Sequence, residues 1–242
     1  MHLALRRQFL SVIGVGLVAS ASFAEIAEFT VTQISDSEVG LVATVVTFES
    51  NQNRGFALLD VPAKVQGDNI TNHFDAKKHG LMINGGYFDS KFEPDCYCKI
   101  GGKVINAKDD PRRSGFVAID QTGRITLLAR GANYANYPTV LQSGPYLIDP
   151  GGKVGIRSKT GRKARRTLIG ITTDQRLVIV ITEPIFLIDL ANSILKSLPK
   201  LERLLNLDGG PSTGLRVKGI KVVNRMPVRN YLFRKVEIGP QK

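Results

Sequence analysis

Alternating apolar and polar positions along the chain predict a domain built largely from strands. Two opening strands are predicted at residues 29–34 and 39–48, where β-branched residues recur in near alternation. Two hairpins follow, one over residues 115–129 around a Gln-Thr-Gly turn and one over residues 167–182. The last segment, from residue 215 onward, returns to strand patterning.

Two helices are predicted among these strands. The polar segment TNHFDAKKHG predicts a short helix that Thr71 or Asn72 caps and Gly80 ends. Residues 187–198 carry an apolar stripe at helical spacing, and Pro199 ends it. Many strands with few, unevenly placed helices indicate an α+β fold, a single domain around a mixed, largely antiparallel β-sheet.

Three predicted strands end in polar residues and glycines, at residues 83–89, 141–145 and 205–212. Glycine lets a ligand approach the main chain closely, and consecutive N–H groups in such turns can cradle an anionic oxygen. One such turn is usually only a turn, but three of them predict a binding site. The candidate ligand contacts at these turns are Gly85, Gly86, Asp89, Gln142, Ser143, Gly144, Asn206, Gly209, Gly210 and Ser212.

The first 24 residues have the layout of an export signal. A basic stretch precedes a short apolar one, and Ser22-Phe23-Ala24 offers small residues for cleavage. The apolar stretch is short for a bilayer span, so we expect no stable membrane anchor. Arg6-Arg7 fits a twin-arginine signal or an ordinary charged n-region, so twin-arginine and general secretory routes both stay open. We expect a periplasmic or extracellular protein with residues 25–242 as its folded domain.

The charge of the chain favours anionic partners. The formal net charge is +12, and removal of the two arginines in the signal leaves +10. Residues 153–166 hold seven basic side chains in fourteen positions, which by itself is typical of a solvated loop. No pattern of a DNA-binding helix or RNA-binding aromatic motif accompanies them, so no nucleic-acid partner is expected.

Cys96 and Cys98 form a C-x-C pair. Alternate residues of an extended segment point to opposite faces, so a disulfide between them requires a local kink. In an oxidising compartment that disulfide stays an open alternative. The pair has no neighbouring His or Cys and makes a poor zinc site. No metal or cofactor is indicated, although the Asp and Asn residues are compatible with a divalent cation.

Five motifs in order along residues 81–232 resemble the phosphodiester glycosidase family. They are Asn84-Gly85-Gly86-Tyr87-Phe88, Gln142-Ser143-Gly144-Pro145, Arg166-Thr167 with Gly170, Asn206-Leu207-Asp208-Gly209-Gly210 with Ser212, and Pro227-Val228 with Asn230. The chain departs from the family pattern after Pro94, where Asp95-Cys96-Tyr97-Cys98 replaces a loop that often holds glycine.

The resemblance implies hydrolysis of a sugar-1-phosphodiester. It implies Asp208 as general base or nucleophile, Arg166 on the phosphate, and Asn84 as a third catalytic residue. Glycosidases generally use two carboxyl groups, and Asp89 and Glu183 are the candidates for the second, with Glu183 also a candidate substrate contact. The leaving group is already a stable phosphate monoester, so charge stabilisation matters more than acid assistance.

Two functions follow from these observations. The first is an exported hydrolase that acts on a phosphate-containing envelope or extracellular glycan. The second is a non-catalytic protein that binds an anionic polysaccharide in the same pocket. The sugar, its anomer, the stereochemical outcome and the oligomeric state stay open.

Overall fold

The computed structural model describes residues 29–159 and 161–236, and this part of the chain forms three antiparallel sheets and two α-helices. The predicted signal, residues 1–24, lies outside the described residues. The strands are Phe29–Asp36 (β1), Leu41–Phe48 (β2), Phe56–Asp60 (β3), His79–Asn84 (β4), Cys98–Ile100 (β5), Lys103–Asn106 (β6), Gly115–Ile119 (β7), Ile125–Ala129 (β8), Thr139–Ser143 (β9), Tyr146–Asp149 (β10), Lys153–Val154 (β11), Ala164–Thr172 (β12), Leu177–Ile185 (β13), Leu201–Asn206 (β14), Leu215–Val217 (β15), Ile220–Val222 (β16) and Asn230–Lys235 (β17). The α-helices are Ile70–His73 (α1) and Leu187–Ser197 (α2), and two 3₁₀ turns span Ser50–Gln52 and Gly210–Ser212.

The largest sheet has seven strands in the order β1-β2-β13-β12-β14-β10-β11. Strands β12 and β13 form its long central hairpin. Successive side chains along each of these strands point to opposite faces of the sheet. One face packs Leu168 and Leu204 against Leu190 and Ile194 of α2. The apolar stripe that predicted α2 is therefore the surface by which this helix covers the sheet.

The other face of the seven-stranded sheet packs against two five-stranded sheets, β16-β15-β4-β17-β3 and β6-β5-β9-β7-β8. Ile169 and Leu205 from the large sheet share one core with Ile83 of β4 and Leu141 of β9. This common core holds the ends of β4, β9 and β14 in fixed positions relative to one another, and these are the strands that the glycine motifs follow.

The fold is mainly β, so the prediction of an α+β class is only partly confirmed. The described residues form one domain around antiparallel sheets, as predicted, but every strand pair among them is antiparallel, with no parallel component. The predicted hairpins and α2 are present within a few residues of the expected bounds. Strands dominate because one face of the seven-stranded sheet is covered by the two smaller sheets, so that only its other face needs a helix, α2, to cover it.

The short helix predicted from TNHFDAKKHG is a single turn. It is capped by Asn69, whose side chain accepts a hydrogen bond from Thr71 N at 3.0 Å, so the predicted caps were displaced by two or three residues. The helix ends at His73, and the chain turns through Asp75 and enters β4 at His79. Asn69 is the cap because it is extended and its short side chain can accept a hydrogen bond from a free N–H group of the first helical turn.

Candidate active site

The three glycine motifs meet at one end of the common core. Asp208 N donates to Gly85 O at 3.2 Å, which joins the turn after β14 to the turn after β4. Gly144 N donates to Asn206 O at 3.0 Å, which joins the turn after β9 to the end of β14. The three segments thus form a single polar surface, although the first and the last of them lie more than 120 residues apart along the chain.

Asp208 lies half-buried where β14 ends, in a turn of residues 208–212 that we call the Asp208 turn. Its Oδ1 accepts a hydrogen bond from Gly209 N at 2.8 Å, and the Ser212 side chain hydrogen-bonds the same carboxyl group. Burial raises the pKa of Asp208 above its ordinary value, while these hydrogen bonds and the Arg113 charge act in the opposite direction. A carboxylate with a raised pKa is suited to proton transfer or nucleophilic attack.

Asn84 holds the Asp208 turn in place. The side chain is completely buried, and its Nδ2 donates to Asp208 O at 2.8 Å. Its Oδ1 accepts from Thr167 Oγ1 at 2.6 Å and from Gly214 N at 3.1 Å. Both ends of the amide are engaged within the protein, so Asn84 acts in this structure as a positioning residue for Asp208.

Gly85 and Gly86 allow two segments to approach closely. Gly85 N donates to Asn230 O at 2.9 Å, and Gly86 N donates to Asn230 Oδ1 at 2.8 Å. A Cβ on Gly85 would lie 2.0 Å from Asn230 Oδ1, and one on Gly86 would lie 2.7 Å from Leu141 Cδ1. These glycines are required by packing, and their amides are already used by Asn230, so they do not form the anion cradle that the motif suggested.

Tyr87 and Arg113 form a stacked pair beside Asp208, and the sequence predicts a role for neither side chain. The Arg113 guanidinium lies 3.5 Å from the centroid of the Tyr87 ring, and its Nη2 donates to Asp95 Oδ2 at 3.3 Å. The Tyr87 hydroxyl donates to Gly144 O at 2.9 Å. Tyr87 lies inside a quoted motif, but the only signal for Arg113 was a basic pair before a buried strand.

The hydroxyl of Tyr87 also accepts a hydrogen bond from Asn206 Nδ2 at 2.5 Å. Burial raises the pKa of Tyr87 far above its ordinary value. Burial thus favours the protonated phenol, the form that donates to Gly144 O. Asn206 Oδ1 is buried and has no hydrogen-bond partner among the described residues, so one acceptor of this amide is unused.

Arg166 approaches Tyr87 from β12. Its Nη2 donates to Arg162 O at 2.8 Å, and its buried Nε has no hydrogen-bond partner among the described residues. Burial lowers the pKa of Arg166, while the nearby Tyr87 acts in the opposite direction. Arg113 and Arg166 thus bring two guanidinium groups to one tyrosine, and such planar donors bind phosphate oxygens well.

Gln142, Ser143 and Gly144 support the site from behind. Gln142 is completely buried, and its Nε2 donates to Asp109 Oδ1 at 2.6 Å and to Asp110 O at 3.0 Å. Ser143 Oγ donates to Asn206 O at 2.7 Å. Gly144 has φ 149°, and a Cβ there would lie 2.6 Å from Ser114 N. All three residues connect the wall of the site to its neighbouring loops.

Gly209, Gly210 and Ser212 shape the Asp208 turn. A Cβ on Gly209 would lie 2.7 Å from Arg165 O, and Gly210 has φ 64°. Ser212 is buried, and its N donates to Gly209 O at 3.2 Å. The turn is therefore closely packed against β12, and the position of the Asp208 carboxylate is fixed by its backbone.

Asp89 and Glu183 are both exposed, and no described contact brings either to Asp208. Asp89 Oδ1 accepts from Lys91 N at 2.9 Å and from Glu93 N at 3.0 Å, so this carboxylate caps a turn. Burial lowers the pKa of Arg165, and the charge of the nearby Glu183 acts in the opposite direction. The predicted second carboxylate thus has no geometric support at either position.

Cys96 and Cys98 are free and buried, so the disulfide considered from the sequence is not formed. The Cys96 thiol donates to Gln142 O at 3.1 Å, whereas Cys98 lies in β5 near Asp60 and Arg229. The two thiols face different neighbours because the segment is extended. Burial raises the pKa of each thiol to about 12.

The described residues contain no group of three or more His, Cys, Asp or Glu side chains that would hold a metal ion. Within the same part of the chain, neither α-helix has the length and apolar character needed to cross a membrane.

The family model of phosphodiester glycosidases matches residues 78–238, a range that contains the five motifs from Asn84 to Asn230. The chain belongs to the phosphodiester glycosidase family. The resemblance inferred from the motifs is thereby confirmed. No curated protein matches the chain.

Solved structures of two proteins share the fold of this phosphodiester glycosidase family member. The catalytic domain of zebrafish N-acetylglucosamine-1-phosphodiester alpha-N-acetylglucosaminidase, auto-inhibited by its pro-peptide, is 13% identical with a TM-score of 0.63; the match covers 86% of this chain and 82% of that one. A hypothetical protein from Synechocystis is 15% identical with a TM-score of 0.64; this match covers 86% of this chain and 62% of that one. At these identities the likeness concerns the fold alone.

Proposed function

We propose that the protein is an exported hydrolase that cleaves the glycosidic bond of sugar-1-phosphodiesters in a phosphate-containing envelope or extracellular glycan. The observation that carries this proposal is the half-buried Asp208 carboxylate, with its raised pKa, beside the Arg113 and Tyr87 stack. Family membership supports a hydrolase of this kind. The activity named for the zebrafish protein is of the same type.

The chemistry assigns different tasks to the carboxylate and the two arginines. Asp208 attacks the anomeric carbon or activates water there, and its charge stabilises an oxocarbenium-like transition state. Arg113 and Arg166 bind the phosphate oxygens and stabilise the leaving phosphate monoester. Because that leaving group is a stable anion, the reaction needs little acid assistance. This is consistent with the exposure of Asp89 and Glu183 and with the absence of a described contact between either of them and Asp208.

A labelling experiment tests which bond breaks. The full chain is incubated with an aryl ester of a sugar-1-phosphate in water enriched in ¹⁸O. Cleavage between carbon and oxygen places the label in the sugar and releases aryl phosphate, which is the expected result. Label in the phosphate would show attack at phosphorus and would overturn the proposal. Measurable binding without any turnover, across pH and added divalent cations, would instead favour the non-catalytic polysaccharide binder.

Export is part of the same proposal and rests on the basic and apolar pattern of residues 1–24. Replacement of Arg6 and Arg7 by lysines blocks a twin-arginine route and leaves a general secretory route nearly intact. Fractionation of cells into cytoplasm, periplasm and medium distinguishes the two routes. Retention of both the wild type and the variant in the cytoplasm would contradict export.

A further inference from the structure

A basic cavity adjoins the Asp208 turn and has no part in the chemistry described above. Its volume is about 330 Å³, and Gly210 and Pro211 of the turn form one wall. Four cationic side chains line it: Arg162, Lys163, Arg165 and Arg225. The other described residues that line it are Ala164 and Pro184, so none of them supplies a carboxylate.

The cations of this basic cavity lie close together, and the acid that acts on Arg165 among the described residues, Glu183, does not line the cavity. The Nε of Arg165 is buried and has no hydrogen-bond partner among the described residues. Burial lowers the pKa of Arg165, the charge of Glu183 on β13 acts in the opposite direction, and the charge of Arg225 adds to the lowering. Like charges that share a partly desolvated space repel one another, and a bound anion relieves that repulsion.

Two hydrogen bonds attach the basic cavity to the candidate active site. Arg225 N donates to Pro211 O at 2.6 Å, which attaches one wall to the Asp208 turn. Arg166 Nη2 donates to Arg162 O at 2.8 Å, which attaches the Arg162 segment of the lining to the proposed phosphate contact. A substrate held at Asp208 therefore has a second set of cationic groups next to the Asp208 turn.

We propose that the basic cavity binds a second anionic group, phosphate or carboxylate, of the same substrate. The substrate is then a polyanionic chain, and the protein recognises a neighbouring repeat as well as the bond that it cleaves. Guanidinium groups suit this task because their planar donors pair with the oxygens of either anion. The inference rests on the proposed function for the identity of the substrate.

Three substrates separate this proposal from general attraction by the basic surface. The first is a sugar-1-phosphate aryl ester with one anionic group. The second is an oligomer of sugars joined by 1-phosphodiesters, and the third is a single phosphodiester flanked by uronic acids. Arg162→Gln and Arg225→Gln are compared with Lys159→Gln, a matched control from the same basic segment. Lys159 pairs with Asp189 at 3.1 Å and does not line the cavity.

Each glutamine variant of the cavity should lower kcat/KM for the oligomer about tenfold more than for the single phosphodiester, mainly through KM, as for loss of one charge-assisted contact. Lys159→Gln should change kcat/KM only slightly, and by the same factor for the oligomer and for the single phosphodiester. Arg225→Lys should recover part of the selectivity because it retains the charge. The same selective loss on the uronic acid substrate would identify the second anion as carboxylate, and a loss confined to the oligomer would identify it as phosphate.

Equal losses on all substrates, or none in either cavity variant, would overturn the inference. Equilibrium binding of the oligomer to Asp208→Asn, with and without Arg225→Gln, is measured separately at fixed ionic strength. This binding does not depend on turnover. If the wild type cleaves nothing, the proposed function fails, and the loss or retention of oligomer binding still decides whether the basic cavity is an anion site. Thermal melting of each variant confirms that the fold is intact.

Discussion

Replacement of Asp208 by asparagine distinguishes a catalytic carboxylate from a turn cap. Asparagine keeps the size of the side chain and the Oδ1 acceptor that receives the Gly209 amide at 2.8 Å, but it removes the negative charge and the base. We expect kcat to fall roughly a thousandfold, which is about 4 kcal/mol at about 1.4 kcal/mol per factor of ten. Substrate binding should change much less, because the arginines remain.

Two opposing effects act on the free energy of unfolding of the same variant. Loss of charge weakens the hydrogen bonds from Gly209 and Ser212 by about 1 kcal/mol. Burial destabilises the charged carboxylate, so removal of the charge offsets the loss from the weaker hydrogen bonds. Since folding raises the pKa, the contribution of Asp208 to stability is complete below the ordinary pKa and is lost as pH rises through the folded one. The stability of Asp208→Asn should therefore lack this decline with rising pH.

Steady-state kinetics and thermal melting on one purified sample decide the case. Asp120→Asn is the matched control, because Asp120 Oδ1 also caps a turn, accepting from Thr122 N at 2.8 Å and Arg124 N at 3.0 Å in the β7–β8 hairpin. The control should lose stability and keep its turnover per folded molecule. A stable Asp208→Asn protein with near-normal kcat would refute the catalytic assignment.

Three further results are expected. Arg166→Lys should lower kcat/KM for phosphodiesters by about 2 kcal/mol, about thirtyfold, because an ammonium lacks the planar fork; an equal loss on a neutral aryl glycoside would contradict a phosphate contact. Arg113→Gln should move the acidic limb of the pH–rate profile to higher pH, because Arg113 lowers the pKa of Asp208; an unmoved limb in a folded variant would contradict this coupling. Cys96 and Cys98 should react slowly with a thiol reagent at pH 8 and both react after unfolding, and absence of thiols in the unfolded protein would contradict the free state.

The strands and the family could be predicted from the sequence because both depend on local pattern. Alternation of apolar residues over 29–34 and 39–48 predicted β1 and β2, since side chains of a strand alternate between faces. Helix α2 was predicted because its stripe repeats at the helical period. The ordered motifs identified the family and included Asp208 and Arg166. Each of these features depends on residues that lie close together in the sequence.

The roles of individual residues depended on contacts that the sequence does not contain. Asn84 looked like a catalytic group, but its amide spans to Asp208 and Thr167, 124 and 83 residues away. Arg113 had no motif, and only the packing of its loop places it over Tyr87. The mainly β class likewise followed from sheets covering one another. Long-range packing decides which polar groups are engaged within the protein and which remain for a ligand, whereas local pattern decides only the elements that carry them.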